Sequence, residues 1–163
     1  MTPGMDAQKN AFSVRGGWWV LAQIPVMVGA ILVPLLWGAA QFDGANAIQT
    51  AGTAATALGI LLALAGLAAL GRNLTPFPRP LAHAHLRRSG VYGLVRHPIY
   101  SGLIFASLGW SVAWLSLPGL LFCVIVLLFF DRKSAFEERL LCLRFAAYPG
   151  YMLRVRKLLP WIY

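Results

Sequence analysis

The chain has 163 residues, 59% of them apolar and 12% charged, with 14 Lys and Arg against 5 Asp and Glu and a formal net charge of +9. Soluble globular chains run near 45–50% apolar and about 25% charged, so an ordinary water-facing domain is excluded and a single membrane domain, 1–163, is expected. A basic balance also suits nucleic acid, but no basic helix, zinc-ligand spacing or ribonucleoprotein pattern accompanies it, and neither nucleic acid nor a metal is an expected partner.

In chain order, the first apolar run is Trp18 to Ala40, 23 residues without a charge, and the second is Thr50 to Gly71, 22 residues without one. Each is long enough to cross a hydrocarbon core of about 30 Å. The first run has the length of a span, and no small-residue cleavage site follows a short core, so a cleaved signal peptide is not expected. Pro25, Gly29, Pro34, Gly59 and Gly66 inside these runs are tolerated in transmembrane helices. The Ala and Gly of the second run suit close helix packing, within the chain or in a dimer. A third uncharged stretch, His97 to Phe130, has 34 residues; it reads as a helical hairpin turning near Leu115 to Gly119, whose second helix continues past Phe130 into polar sequence. The expected fold is therefore an all-α integral membrane protein of about four transmembrane helices. Region 18–71 holds the two N-terminal spans and 72–163 the part with chemistry.

Charge placement supports this topology. Lys9 and Arg15 precede the first span, Arg72, Arg79, Arg87, Arg88 and Arg96 lie between the second and third, and the remaining basic residues follow the fourth. The connections at Gln41 to Gln49 and near Pro118 contain no Lys or Arg. Cytoplasmic loops accumulate such residues, so both termini are expected in the cytoplasm, with the basic band facing anionic lipid headgroups. Cys123 and Cys142 are not expected to pair in this reducing setting.

No Asp, Glu, Lys or Arg lies within a span, which removes the usual mark of an ion-coupled transporter. Polar residues gather instead in two segments. The first holds Pro76, Pro78 and Pro80, His83 and His85, then GVYGLVRHPIYSG from Gly90 to Gly102. His97 precedes Pro98, which disfavours helix at His97 and suits the first turn at Pro98, so free N–H groups of Ile99, Tyr100 and Ser101 would face an anion. The plainer role for His97 is a helix cap and for Tyr100 an interfacial anchor. The second segment, DRKSAFEERLLCLRF from Asp131 to Phe145, reads as an amphipathic helix with Phe136, Leu140, Leu143 and Ala147 on one stripe, followed by YPGY from Tyr148. Arg139 and Arg144 read as solvated charges. Glu137 and Glu138 form an acidic pair beside a surface that favours cations, suited to accept from ribose hydroxyls or an ammonium group.

GxYxxxRHPxYxG, an apolar hairpin, EE about 35 residues later, then Phe145, Tyr148 and Tyr151, resembles the isoprenylcysteine carboxyl methyltransferase family and its phospholipid methyltransferase relatives, over roughly Asn73 to Pro160. The resemblance implies S-adenosylmethionine as cofactor, in a cytoplasmic pocket formed by the loop before span three and the C-terminal amphipathic helix. It implies cofactor contacts from Tyr92, His97, Pro98, Ile99, Tyr100, Glu137 and Glu138, with mainly backbone contacts from His85, Leu86 and Arg87. It places substrate beside Arg132, Lys133 and Tyr151; Lys133 stands where eukaryotic relatives have an arginine that contacts a substrate carboxylate. No catalytic residue is assigned firmly, His97 and Tyr100 being positioning residues.

The expected function is S-adenosylmethionine-dependent methylation of a lipid-like or isoprenoid acceptor entering from the bilayer. A carboxylate acceptor needs no general base, whereas an amine or thiol would need one, with His97, His85 or Tyr100 the candidates. Two alternatives stand beside it: a small membrane reductase using a nicotinamide cofactor, as in sterol reductases of similar C-terminal architecture, and a non-enzymatic accessory subunit. Composition does not reveal the acceptor or the oligomeric state.

Overall fold

The computed structural model describes residues 16–39, 47–75, 77–79 and 84–163. Lys9, Arg15, Pro76, Pro80, His83 and most of the connection from Gln41 to Gln49 lie outside the described residues. Helix α1 covers Gly17–Trp37 and carries Pro25 and Pro34 in its interior. Helix α2 covers Ala47–Leu70 and tightens into a 3-10 turn, Gly71–Asn73. Gly71 makes that transition at φ 50, a left-handed conformation without penalty in a residue that lacks Cβ. The short α3, Val91–Leu94, leads to α4, Pro98–Ala113, then the long α5, Leu117–Arg144, and a last short helix, α6, Tyr148–Met152. Among the described residues there is no strand, only an isolated bridge between Val95 and Arg156.

The all-α expectation is met. Two elements, α1 and the continuous Ala47–Asn73, are long and apolar enough to cross a membrane, while α4 is equally apolar but has 16 residues, about 24 Å. Their apolar side chains point largely outward: Leu36 is 65% exposed, Leu58 67% and Leu121 on α5 64%. Apolar surface on that scale is unfavourable in water and favourable against lipid.

The hairpin turns earlier than the sequence suggests. Residues 114–116 make the turn, with Leu115 at φ 47, and Pro118 and Gly119 already belong to α5. Ser116 decides this: its side chain accepts from the Gly119 N–H at 3.1 Å and donates to the Trp37 carbonyl at 3.2 Å. A serine N-cap followed by proline in the first turn starts a helix; it does not end one.

Glycines set the packing. Gly52, Gly59 and Gly66 of α2 repeat every seven residues and face α4, whose Gly102 and Gly109 answer them; a Cβ at Gly59 would lie 2.4 Å from the Ala106 nitrogen and 2.7 Å from the Gly102 oxygen. Small residues at seven-residue spacing let two antiparallel helices touch backbone to backbone, so this surface of the second run is consumed inside the chain. Helix α1 packs on α5, with Gly29 against Phe122 and Gly119 against Pro34, and Trp110 of α4 donates to the Ile31 carbonyl at 3.1 Å. Among the described residues the backbones of α1 and α2 do not approach each other. The N-terminal ends of α1 and α4 and the C-terminal ends of α2 and α5 meet at one end of the bundle, through Trp19 against Phe136, Gly66 against Ile99, and Tyr100 with Glu137.

Helix α5 runs unbroken from apolar into polar sequence, but the face it buries is not the predicted stripe. Leu143 is 86% exposed and Ala147 lies beyond the helix and exposed. The inward face carries Phe130, Lys133, Ser134 and Glu138. An outward Leu143 accords with an interfacial amphipathic helix, while the inward polar row is favourable once its groups find partners.

Candidate functional site

A cavity of about 680 Å³ opens at the end where the four long helices meet, within the usual range for small-molecule sites. Of the residues singled out from sequence, His85, Leu86, Arg87, Tyr92, His97, Ile99, Tyr100, Lys133, Glu137 and Tyr151 line it. Pro98, Glu138 and Arg132 do not. Pro98 is buried beneath the start of α4, close to Gly66, while Arg132 points away with its side chain 75% exposed and Asp131 3.7 Å from it.

The local sequence accounts for the geometry. His97 is the N-cap of α4 with Pro98 in the first turn. Its carbonyl accepts the Ser101 N–H at 2.9 Å, so of the three amides expected to be free at this helix start, Ser101 is already bonded in the ordinary i to i−4 manner. The His97 ring stacks on Tyr100, centroids 5.4 Å apart, and Tyr100 stacks on Phe130 at 4.9 Å. Tyr100 donates its phenol to Glu137 Oε2 at 2.8 Å. On the opposite wall Asn73 holds the His85 backbone at two points, donating to its carbonyl at 2.9 Å and accepting its N–H at 3.3 Å.

The two acids differ. Glu137 faces the cavity with its side chain 26% exposed. Glu138 turns into protein: Oε1 accepts from Arg96 Nε at 2.7 Å and lies 3.2 Å from His97 Nε2. Burial pushes the Glu138 pKa up, but hydrogen bonds from His97 and Arg96 prevail and bring it down to about 2. Glu138 is therefore an acceptor only, which assigns the proton of a neutral His97 to Nε2 and leaves Nδ1 on the side of Glu137, 4.0 Å away.

Lys133 is the buried cation of the cavity, 3% exposed. Its Nζ donates to Gln23 Oε1 at 2.5 Å and sits 5.2 Å from the centroid of the Tyr100 ring. Burial pulls its pKa down, and Glu137 opposes that shift. Around the rim, Tyr151 donates to the Tyr92 carbonyl and Tyr148 lies 3.5 Å from Glu138. Burial raises the phenol pKa of Tyr92 and Tyr148, aided by Glu137 and Glu138 respectively, and takes Tyr151 up to about 12, so all three remain donors at neutral pH.

Sequence reasoning gave no site role to Arg96, Gln23 and Asn73, and named Tyr148 only within the aromatic series. Gln23 carried a signal, being the one uncharged polar side chain in an otherwise apolar and aromatic α1, where a polar group needs a partner. Arg96 lay within the quoted motif, but its carboxylate is 42 positions away.

Among the described residues the fold is an all-helical bundle with two helices long and apolar enough to cross a membrane and a cavity at one end, which is consistent with a membrane-associated protein. A family model described as phospholipid methyltransferase matches residues 48–147, and the chain belongs to the phospholipid methyltransferase family. It is also 32% identical over 109 residues to Protein-S-isoprenylcysteine O-methyltransferase B of Arabidopsis thaliana, a match covering 64% of this chain and 55% of that protein. The matched region thus spans about half the relative's length. The resemblance drawn from the RHP and EE motifs is borne out at the level of family.

Proposed function

We propose that the chain is a multi-pass membrane methyltransferase that uses S-adenosylmethionine in the cavity and acts on a lipid-like acceptor, with a carboxylate as the favoured methyl-accepting group. The observation that carries this reading is the meeting of His97, Tyr100, Glu137 and Lys133 in one cavity whose lining also takes in a largely apolar stretch of α1 and the end of α2, helices whose backbones do not approach each other. In this reading α4 and the apolar part of α5 are the third and fourth spans, and the site and both termini are cytoplasmic, as the distribution of Lys and Arg favours.

The donor set fits the cofactor. Glu137 and Tyr100 suit an ammonium and ribose hydroxyls, the Asn73-held backbone at His85 suits an adenine edge, and the Ile99 amide at the start of α4 suits a carboxylate. S-adenosylmethionine supplies a sulfonium-bound methyl group open to in-line displacement. The protein's part is positioning and exclusion of water. Lys133, bonded to no carboxylate among the described residues, would hold an anionic acceptor; Arg132, exposed and paired with Asp131, is assigned no such role. Along α1 the cavity runs from Val20 to Ile31, about 16 Å of helix, so an aliphatic or isoprenoid chain would lie along it and reach the site sideways from the bilayer. An amine or thiol acceptor would need to lose a proton, and His97 Nδ1, opposite the anchored Nε2, is the group placed to take it.

The test is calorimetric binding of S-adenosylhomocysteine to the purified protein. Micromolar affinity, abolished in Glu137→Ala and His97→Ala, is expected. No binding by the wild type would overturn the reading.

A further inference from the structure

The residues that precede α4 are held by the C-terminal segment 152–163. The Arg96 N–H donates to the Arg156 carbonyl at 2.8 Å and the His97 N–H to the Lys157 carbonyl at 3.2 Å. The Ser101 hydroxyl donates to the Leu158 carbonyl at 2.6 Å, and Arg96 Nη1 donates to the carbonyls of Met152 and Val155. The segment is in turn gripped from α5. Lys157, 8% exposed, donates to Asp131 Oδ1 at 2.6 Å and to the Asp131 carbonyl at 3.0 Å. Tyr163 donates its phenol to the same Oδ1 at 2.9 Å, while its carbonyl accepts from the amides of Leu158 and Leu159. Asp131 and Glu138 are seven residues apart, two turns along one face of α5. That one face holds the His97 ring directly and the His97 backbone through Lys157.

No residue of 152–163 lines the cavity, so the segment acts on a bound molecule indirectly, and Arg96 and His97 are cavity residues that it hydrogen-bonds. We propose that residues 152–163 are a strap that sets the His97 ring against Glu138 and the cavity, with Lys157 and Asp131 as positioning residues. The backbone pairing joins the segment to Arg96 and His97, and the Lys157 to Asp131 bond ties that pair to α5. The consequence for ligand affinity rests on the cofactor reading given above, whereas the effect on His97 does not.

The experiment uses the full chain in nanodiscs with ¹⁵N-labelled histidine, the His97 ring signals being assigned by their loss in His97→Asn. Lys157→Met is expected to keep a folded, cooperative melt, to move the His97 ring signals, and to weaken S-adenosylhomocysteine binding at least tenfold, with Lys157→Arg restoring both. A folded Lys157→Met whose His97 signals match the wild type and whose affinity stays within twofold overturns the strap. If Lys157→Met does not fold, Tyr163→Phe, which removes one hydrogen bond at an exposed ring, takes its place: displaced His97 signals support the strap and unchanged signals overturn it. If the wild type binds no S-adenosylhomocysteine, the cofactor reading has failed, and the His97 signals alone decide the strap.

Discussion

Arg96 Nε and Glu138 Oε1 lie 2.7 Å apart with side chains 10% and 9% exposed, and the same oxygen lies 3.2 Å from His97 Nε2. Removing one member of a buried charge pair leaves the other uncompensated, at a cost of about 3–5 kcal/mol. Glu138→Gln is therefore expected to lower the melting temperature sharply. Glu137→Gln, at a carboxylate that accepts one phenol from the cavity side, should cost only about 1 kcal/mol while weakening S-adenosylhomocysteine binding more at equal folded fraction. Melting curves and calorimetry on both variants check this ordering; equal destabilisation by the two would refute it.

Acid should loosen the same region. Glu138 sits at about 2 against an ordinary 4.5. Asp131 is also held low: burial opposes the shift, but hydrogen bonds from Lys157 and Tyr163 outweigh it. A carboxylate whose pKa is depressed in the folded state contributes stability that is complete above its unfolded value and is lost as pH falls through the folded one. Stability is expected to be level down to about pH 4.5 and to decline between there and about pH 2, with a shallower decline in Glu138→Gln. Denaturation midpoints across that range measure it.

The Lys133 and Gln23 contact makes a double-mutant test. Gln23→Leu strips a buried ammonium of its nearest acceptor and should cost about 1–3 kcal/mol. Adding Lys133→Met should recover most of that loss, because the polar pair is then gone altogether. In a methyl-transfer assay Lys133→Met is expected to raise KM for a carboxylate acceptor tenfold or more and to leave an amine acceptor within twofold.

Gly59 and Gly150 offer a contrast in packing. A Cβ at Gly59 meets the α4 backbone at 2.4 Å, whereas at Gly150 nothing lies within 4 Å. Gly59→Ala should destabilise by about 1–3 kcal/mol and Gly150→Ala by no more than about 0.5 kcal/mol, as read from thermal unfolding in one detergent.

Much of this was legible in the residues. The uncharged runs located α1 and α2, Pro98 located the start of α4, and ten of the site residues named from the two polar segments line one cavity. Three things were not. The Pro118 and Gly119 pair looked like a turn because its partner in the decision, Ser116, bonds to Trp37 far away in sequence. The inward polar row of α5 was not visible because Lys133 and Glu138 find their partners, Gln23 and His97, far away in sequence. Arg96 and segment 152–163 escaped notice because their side-chain partners, Glu138 and Asp131, are distant in sequence and their other bonds run to backbone carbonyls, which carry no residue identity to read.

Helix α1 packs on α5 and α4, and among the described residues its backbone does not approach that of α2, although both helices line the cavity. Apart from Gln23, which holds Lys133, the α1 side chains there, among them Ile24, Met27 and Val28, are apolar and make no hydrogen bond to the polar group. Shape and chemistry are thereby separable: repacking the outer turns of α1 would retune which hydrophobic tail is accommodated without disturbing the polar machinery, giving an engineer one dial for the guest and another for the reaction.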